Sequence, residues 1–304
     1  MLVGCRRGAG PESASRSSGR CAVRQRVHGH SSSRALLRSL GLRPKKRLSQ
    51  SFLEDERVAA AIVRAANLTS ETDVLEVGPG LGVLTRLLTR KARRVVAVEL
   101  DAQLAEELAG PNMKVVNADI LKVDPADYFD APYAVVANLP YHITSPALRH
   151  LLRCGPPFAE RLVVMIQREV AERITAQPGE MSALAVAMQA QARASIVRRV
   201  PAEAFYPRPK VDSAVVVLEP LGDAERAVPR HELQAFTALV QAGFKQPRKT
   251  LANSLADGLQ VSKVKATDLL VKAGIDPSKR PEALSVEDWV RLFRCSTGAT
   301  PRST

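Results

Sequence analysis

The chain has 304 residues, 45% of them apolar and 25% charged, which is typical of a globular protein with one large or two modest domains. No apolar run reaches the roughly 20 residues that cross a bilayer, so we expect no membrane association through a spanning helix. The four cysteines are scattered without a CxxC pair and indicate neither a metal site nor a disulfide framework. The net charge of +13 favours a polyanionic partner, most often nucleic acid.

Residues 1–41 are predicted to form a disordered basic extension or a targeting segment. They are rich in Arg, Ser and Gly, and their eight Arg and single acid, Glu12, give a net charge of +7. Such a segment buries too little apolar surface to order itself, and its Arg- and Ser-rich start resembles an organellar transit peptide. A plain disordered tail and a start codon assigned too far upstream are the alternatives.

Residues 42–221 alternate between helical and strand patterns. Apolar residues recur with helical spacing at 54–68, 83–90, 101–109 and 146–153. Short apolar runs predict strands at 73–78, 94–100, 114–120, 133–139 and 161–167. Two further helical stretches precede two late strands, 195–200 and 213–221, which we expect to be antiparallel neighbours. The alternation predicts an α/β fold, with a mostly parallel sheet and helices on both faces.

The strand patterns stop near residue 222. Three amphipathic helical patterns follow, at 231–244, 263–274 and 285–294, and Ser285 with Asp288 fits a capping box at the start of the last one. We therefore expect a small all-helical C-terminal domain over residues 222–304, ending in a short disordered tail.

A glycine-rich turn, EVGPGLGVLT, joins the first predicted strand to the next helix. Its spacing is not the G-x-G-x-x-G of dinucleotide sites, because position 83 is Val. Gly78 and Gly80 allow a ligand to approach the backbone closely, and Glu99 ends the next strand, where an acid can accept hydrogen bonds from ribose hydroxyls. Asp119 ends the third strand, where a carboxylate can accept from an adenine amine. Adenosine recognition without a pyrophosphate loop predicts S-adenosylmethionine as the cofactor.

The fourth strand ends in the turn Asn138-Leu139-Pro140-Tyr141, which should face the methyl group of the cofactor. An exocyclic adenine amine is a poor nucleophile, because its lone pair is delocalised into the ring. The side-chain oxygen of Asn138 and the carbonyl of Leu139 can accept from that amine and direct the lone pair towards the methyl group. Pro140 fixes the backbone, and Tyr141 offers a face on which an unstacked base can lie.

Seven motifs in order make the chain resemble the ribosomal RNA adenine N6-dimethyltransferases, a family of class I S-adenosylmethionine-dependent methyltransferases. They are RLSQSFLED, VLEVGPGLGVLT, NADIL, NLPYHITSP, QREVAERI, AFYPRPKVDSAVV and FKQPRKTLANSL. The resemblance is greatest to the small-subunit branch, which dimethylates two adjacent adenosines in a hairpin loop near the rRNA 3′ end. It implies a Rossmann-like methyltransferase domain over residues 42–221 with an N-terminal lid, and rRNA binding by the helical domain.

The resemblance also implies roles on the cofactor side of the site. Gly78 would approach the methionine part of the cofactor, Glu99 would bind the ribose, and Asp119 with Ile120 would hold the adenine. The N-terminal lid would contribute Gln50, Ser51 and Leu53.

On the target side, Phe205 would sandwich the flipped adenine against Tyr141. The lid departs from the family pattern, which usually reads Gly-Gln-Asn-Phe-Leu where this chain has SQSFL at 49–53. The family Asn contacts the cofactor, whereas Ser51 is shorter, and Ser49 lacks the freedom of glycine at positive φ. We expect retained activity with a weaker or altered cofactor contact.

Three basic clusters are candidate phosphate contacts for RNA. They are Lys45, Lys46 and Arg47, then Arg208 and Lys210, then Lys245, Arg248 and Lys249. Their positions near the lid, the aromatic turn and the helical domain predict one shared basic rim. We expect a monomer that acts on small-subunit rRNA in a pre-ribosomal particle, where RNA shape matters more than sequence.

Two other functions stay open on the sequence alone. Large-subunit rRNA adenine methylases share the fold and chemistry, although NLPYHITSP and RKTLANSL favour the small-subunit branch. A non-catalytic RNA- or DNA-binding relative, acting in ribosome assembly or organellar transcription, is disfavoured by the intact Glu99, Asp119 and Asn138. The compact layout favours the bacterial cytoplasm, with a mitochondrial or plastid matrix as the alternative if residues 1–41 are a transit peptide.

Overall fold

The computed structural model describes residues 32–297, so most of the predicted basic extension, the C-terminal tail, Cys5 and Cys21 lie outside the described residues. The strands are β1 (Phe52–Leu53), β2 (Asp73–Val77), β3 (Arg94–Glu99), β4 (Met113–Asn117), β5 (Tyr133–Asn138), β6 (Ala159–Gln167), β7 (Ala192–Val200), β8 (Phe205–Tyr206) and β9 (Ser213–Pro220). The helices are α1 (Ser33–Ser39), α2 (Glu56–Ala65), α3 (Val83–Leu88), α4 (Ala102–Glu107), α5 (Thr144–Arg153), α6 (Arg168–Ile174), α7 (Ala183–Gln189), α8 (Leu233–Gly243), α9 (Leu251–Leu259), α10 (Lys263–Lys272) and α11 (Val286–Thr297).

No helix within residues 32–297 is long and apolar enough to cross a membrane. No group of three or more His, Cys, Asp or Glu side chains within 32–297 is arranged to hold a metal ion. Cys154 and Cys295 are free thiols.

Seven strands form the central sheet in the order β4-β3-β2-β5-β6-β9-β7. The strands β2 to β6 pair in parallel, and β9 is antiparallel to both β6 and β7. The expected antiparallel pairing of the two late strands is therefore confirmed. Because β2 pairs with β3 on one side and β5 on the other, the strand order reverses there and leaves a crevice at the carboxyl ends.

Helices cover both faces of this sheet because its central strands are apolar on both sides. Successive side chains of a strand point to opposite faces, so Val74 and Leu75 of β2 enter different cores. Val74 packs in the core that holds Ile62 of α2, and Leu75 packs in the core that holds Leu148 of α5. Burial of each such side chain contributes about 1.5–3 kcal/mol. The predicted α/β fold is confirmed.

The described elements after β9 are helices, and they build an apolar cluster of their own. At its centre the ring of Trp289 stacks on Phe244, with centroids 5.4 Å apart, and Phe236 meets Phe293 edge-on at 5.6 Å. Val186 of α7 belongs to the same cluster. The helical core therefore also includes a helix that precedes the last strands of the sheet.

Helix α11 begins as the sequence predicts. Asp288 accepts from the backbone N–H of Ser285 at 3.0 Å, and the Ser285 hydroxyl accepts from the N–H of Asp288 at 3.2 Å. These two bonds form the expected capping box, which satisfies N–H groups that have no partner inside the helix.

Three features differ from the sequence-based prediction. Helix α1 lies within residues 1–41, which the composition predicts to be disordered, and its Leu37 is buried against Phe52, Leu81 and Leu104. Strands β1 and β8 have two residues each, too few to show any periodicity, and they pair antiparallel. Helix α9 lies in the RKTLANSL motif, where no helix is predicted. In each case packing against distant parts of the chain stabilises a segment whose local pattern is weak.

We expect Gly258→Ala to destabilise the helical region. Gly258 of α9 lies directly against the backbone of α8, and a Cβ there would stand 2.3 Å from the carbonyl oxygen of Ala242. The variant should lower the free energy of unfolding by about 1–3 kcal/mol through overpacking, although Ala is the better helix former. Urea denaturation measures the change.

The matched control is Gly110→Ala, because a Cβ on Gly110 meets its nearest neighbours at 3.6 Å, which is ordinary contact. That control should unfold at nearly the wild-type urea concentration. Equal stability of the two variants would contradict the close packing of α8 and α9.

Candidate active site

One cavity opens at the carboxyl ends of β2, β3 and β5, where the strand order reverses. Its walls come from the loops that follow these strands and from the lid, which we define as residues 44–53. Every residue predicted to serve catalysis or cofactor binding lines it: Gln50, Ser51, Leu53, Gly78, Gly80, Glu99, Asp119, Ile120, Asn138, Leu139, Pro140, Tyr141 and Phe205. The fold therefore brings together residues that are far apart in the chain.

The glycine turn after β2 passes close to the turn after β5. Gly78 has a φ of +67°, and a Cβ on it would stand 3.3 Å from the carbonyl oxygen of Asn138. Gly80 has a φ of +58°, and a Cβ on it would meet the ring of Phe52 at 3.1 Å. Both positions require glycine for conformation and for room, so this wall of the cavity presents backbone.

Glu99 is a buried carboxylate at the end of β3, only 7% exposed. Its Oε1 accepts from the N–H of Asp101 at 2.9 Å, and its Oε2 accepts from the N–H of Gly80 at 3.1 Å. Burial raises the pKa of Glu99 above its ordinary value, because these hydrogen bonds only partly replace the lost water. These two hydrogen bonds fix the orientation of the carboxylate, and each of its oxygens can accept a hydrogen bond from a further donor.

Asp119 lies two residues beyond the end of β4, not at the strand end that the sequence predicts. Its Oδ1 accepts from the N–H of Leu121 at 3.0 Å and so caps a short 3-10 turn. Ile120, the first residue of that turn, is buried. The cavity therefore has a carboxylate beside an apolar side chain, a combination that suits the edge and face of a purine.

Asn138 ends β5 and is oriented by the lid. Its side-chain nitrogen donates to the carbonyl oxygen of Ser51 at 3.3 Å. Since the two ends of an amide point in different directions, this bond leaves the Asn138 oxygen to accept from another donor. The N–H of Leu139 donates to the carbonyl of Met165 at 3.1 Å, which anchors the start of the turn to β6.

The two aromatic residues assigned to base stacking have different surroundings. Tyr141 is half-buried, and its hydroxyl lies 2.8 Å from that of Ser213, which fixes the ring. Phe205 lines the cavity but is only 4% exposed and packs in the core with Leu53 and Val200. The sandwich of a base between the two rings stays a prediction.

The lid is fastened to the sheet through Asp101. The Nζ of Lys45 lies 2.6 Å from Asp101 Oδ1, and the Nε2 of Gln50 donates to Oδ2 at 2.8 Å. Burial raises the pKa of Asp101, but the bonds from Lys45 and Gln50 outweigh it and leave that pKa below its ordinary value. The ammonium group of Lys45 thus forms an ion pair within the protein, and its predicted contact with RNA stays a prediction.

The two lid positions that depart from the family pattern have clear local roles. Ser49 has a φ of +50°, a left-handed conformation that costs a residue other than glycine about 1–2 kcal/mol. The Ser51 hydroxyl donates to the carbonyl of Pro207 at 2.9 Å, so it ties the lid to the turn after β8. The backbone of Ser51 accepts the bond from Asn138 and so contacts the turn after β5.

The three basic clusters have different surroundings. One groove beside the cavity is lined by Lys46, Arg208 and Lys210. The turn between α8 and α9 holds the third cluster, Lys245, Arg248 and Lys249, none of which lines that groove. Lys245 forms an ion pair with Asp257 at 3.1 Å, and Arg208 pairs with Glu203. Lys46, Arg208 and Lys210 thus share one groove, and the rim that joins all three clusters stays a prediction.

Comparison with known proteins identifies the family. A model of the family described as ribosomal RNA adenine dimethylase matches residues 41–297. The chain belongs to this family. Ribosomal RNA small subunit methyltransferase A from Dehalococcoides mccartyi is 45% identical over 259 residues, which cover 83% of this chain and 88% of the relative. The protein of the same name from Streptococcus sanguinis is 40% identical over 283 residues, which cover 88% and 97%.

Solved structures agree with this assignment. The 23S rRNA methyltransferase ErmE is 32% identical with a TM-score of 0.63, and the match covers 80% of this chain and 98% of that one. A dimethyladenosine transferase from Plasmodium falciparum is 25% identical with a TM-score of 0.69, covering 82% and 98%. The resemblance drawn from the seven motifs, the methyltransferase fold and the class of enzyme are therefore confirmed.

Glu76 is a buried acidic residue in the apolar strand β2 of this rRNA dimethylase. The sequence assigns no role to this residue. It is 0% exposed, and neither carboxyl oxygen has a hydrogen-bond partner among the described residues. Burial raises the pKa of Glu76 to about 8, and the negative charge of Glu99 adds to the rise. The carboxyl of Glu76 is thus largely protonated at neutral pH.

The stability of this protein should depend on pH through Glu76. In the folded state the pKa of Glu76 is about 8, above its ordinary value of 4.5. Between these two pH values the folded state therefore binds more protons than the unfolded state. The contribution of Glu76 to the free energy of unfolding falls as the pH rises through this range. Glu76→Gln cannot ionise, so its stability relative to wild type should increase from pH 4.5 to pH 8 in urea denaturation. The exposed Glu106→Gln is the control and should show a constant difference. A constant difference for Glu76→Gln as well would refute this account.

The ion pair of Lys45 with Asp101 should hold the lid closed. Among residues 32–297, Lys45→Met leaves Asp101 with Gln50 as its only side-chain partner. We expect the local stability of the lid to fall by about 1 kcal/mol, which corresponds to roughly fivefold faster opening. Hydrogen–deuterium exchange of peptides covering residues 44–53 measures this. The neighbouring Lys46→Met is the control, because Lys46 is exposed and makes no ion pair with a described residue. Equal exchange rates in the two variants would contradict the role of Lys45.

Proposed function

We propose that the protein uses S-adenosylmethionine to dimethylate the N6 amines of two adjacent adenosines in the 3′-terminal hairpin loop of small-subunit rRNA. The observation that carries the proposal is the Asn138 amide, which the Ser51 carbonyl orients within the cavity that also holds Glu99 and Asp119. Relatives at 40–45% identity are named small subunit methyltransferases, which supports this choice of rRNA. The position of the two adenosines rests on the motif resemblance.

The donors and acceptors of the cavity fit S-adenosylmethionine. The buried Glu99 carboxylate suits two ribose hydroxyls, because each of its fixed oxygens keeps a free lone pair. Asp119 and Ile120 suit the amine and the ring of the adenine, and the backbone at Gly78 and Gly80 can approach the methionine part. When bound, the cofactor supplies an electrophilic methyl group.

The turn after β5 would act on the target amine by position rather than by proton abstraction. The side-chain oxygen of Asn138 and the carbonyl of Leu139 would each accept one N–H of the amine. Two acceptors held by the fold would direct its lone pair along the line of attack, which is catalysis by orientation and fixed dipoles. The proton can leave after methyl transfer, so no general base is needed.

The aromatic residues would hold the target base once it has left its stack. Tyr141 presents a ring fixed by its bond to Ser213, and base–aromatic stacking is worth about 1–3 kcal/mol. Phe205, which also lines the cavity, would complete the opposite side of the pocket.

Two observations bear on the alternative functions. The identity to small-subunit enzymes, 40–45%, exceeds the 32% identity to a 23S rRNA methyltransferase, which favours the small-subunit substrate. A non-catalytic role is disfavoured because Glu99, Asp119 and Asn138 all line the same cavity.

We further propose that the protein works as a monomer on a pre-ribosomal particle, with the helical region after β9 adding rRNA contacts. The exposed Arg248 and Lys249 support such contacts. The bacterial relatives favour a cytoplasmic site of action. If residues 1–41 are a transit peptide, the organelle matrix is the alternative, and most of that segment lies outside the described part of the chain.

Asn138→Ala should abolish most methyl transfer while leaving cofactor binding nearly unchanged. Loss of one preorganised transition-state acceptor should lower kcat by about 100- to 1000-fold. The assay uses methyl-labelled S-adenosylmethionine with undermethylated small-subunit particles, followed by mapping of the methylated adenosines. Calorimetry with the cofactor measures binding separately.

Tyr141→Phe is the control, because it keeps the ring and removes only the hydroxyl that pairs with Ser213. It should retain methylation within a few-fold. Wild-type rates in Asn138→Ala would refute the assigned role of the amide. A wild-type protein that binds the particle without methylating it would support the non-catalytic alternative, and methylation confined to large-subunit rRNA would support the other one.

A further inference from the structure

The groove beside the cavity is strongly basic and extends the active site onto the surface. Its lining includes six cationic side chains and no Asp or Glu: Arg34, Arg38, Arg43, Lys46, Arg208 and Lys210. Three of them, Arg34, Arg38 and Arg43, belong to α1 and the segment after it, to which neither the motifs nor the predicted basic clusters assign a role. We call this surface the α1 groove.

Helix α1 holds its arginines in fixed positions. Leu37 is 3% exposed and packs with Phe52 and Leu81, and the N–H of Ser33 donates to Glu54 Oε1 at 2.7 Å. Arg34 and Arg38 are four residues apart, so they lie on the same face of the helix. The buried leucine therefore anchors a helix whose arginines point into the α1 groove.

The cationic side chains of the α1 groove are available to a ligand. Within residues 32–297, Arg34, Arg38, Arg43, Lys46 and Lys210 make no ion pair, and all five are exposed. Arg208 alone pairs with an acid, Glu203. Uncompensated like charges repel one another, so a groove of this kind is stabilised by a bound polyanion.

The α1 groove is continuous with the active-site cavity. Ser49, Gln50, Ser51 and Tyr141 line both, so Tyr141 stands where the groove meets the cavity. Tyr206, a half-buried aromatic residue, also lines the groove. Phosphate-binding cations along a path with aromatic rings are the features that bind single-stranded nucleic acid.

We propose that the α1 groove carries the rRNA strand flanking the target adenosine, with Arg34, Arg38 and Arg43 binding its phosphates. This proposal rests on the proposed function, since it takes the Tyr141 ring as the place where the target base leaves the strand. Phosphate contacts on one side of that base position it without reading its sequence. Helix α1 is thereby an RNA-binding element that lies before the segment matched by the family model.

The test is the double variant Arg34→Gln/Arg38→Gln. Its affinity for undermethylated small-subunit particles should fall roughly tenfold at physiological salt. The slope of log affinity against log salt, measured between about 50 and 200 mM, should become shallower by about 1.4, because each phosphate contact on a single strand contributes about 0.7. Calorimetric affinity for S-adenosylmethionine should not change.

Two further variants separate charge loss from misfolding. Arg57→Gln/Arg64→Gln removes two exposed arginines from α2, neither of which lines the α1 groove, and should keep the wild-type affinity and salt slope. Arg34→Lys/Arg38→Lys keeps the charge and should keep most of the affinity.

The results separate two proposals, the role of the α1 groove and the proposed methyl transfer. Wild-type affinity and slope in Arg34→Gln/Arg38→Gln would overturn the role of the α1 groove, as would an equal loss in the α2 control. Binding is measured without methyl transfer, so a wild-type protein that binds particles but does not methylate them would overturn the proposed function. The salt slopes would still decide the role of the groove.

Discussion

The close contact between the turn after β2 and the turn after β5 is the constraint on which the active site depends. Parallel neighbouring strands bring their carboxyl ends to one edge, and the order of the sheet places these two strands side by side. A Cβ on Gly78 would stand only 3.3 Å from the Asn138 carbonyl, so any larger residue would push the turns apart. The glycine wall of the cavity and the turn that begins at Asn138 thus share one backbone contact.

Residues at this edge of the sheet hold the lid in place, and the lid in turn orients the Asn138 side chain. Lys45 and Gln50 fasten the lid to Asp101, whose N–H in turn donates to Glu99. From the other side, the Ser51 carbonyl fixes the Asn138 amide. Movement of the lid would therefore disturb both the Glu99 carboxylate and the Asn138 amide, so the position of the lid and the geometry of the cavity are coupled.

Charge is divided between the cavity and its surroundings. Glu99 and Asp119 line the cavity, whereas the lining of the α1 groove contains cations and no acid. The two regions meet at Tyr141. Under the two proposals, a cationic cofactor and a polyanionic rRNA would each meet a surface of opposite sign, with the neutral ring of Tyr141 at the boundary.

The sequence by itself determined the α/β class, the main strands and helices, the family and the list of cavity residues. It could do so because strand–helix periodicity is local, and because Gly78, Glu99 and Asn138 follow directly from the ends of apolar runs. Only the tertiary structure decided that Lys45 pairs with Asp101, that Phe205 is largely buried, and that α1 is a helix beside the site. These outcomes depend on contacts between residues distant in sequence, such as Leu37 with Leu104 or Leu53 with Phe205, for which no local pattern carries a signal.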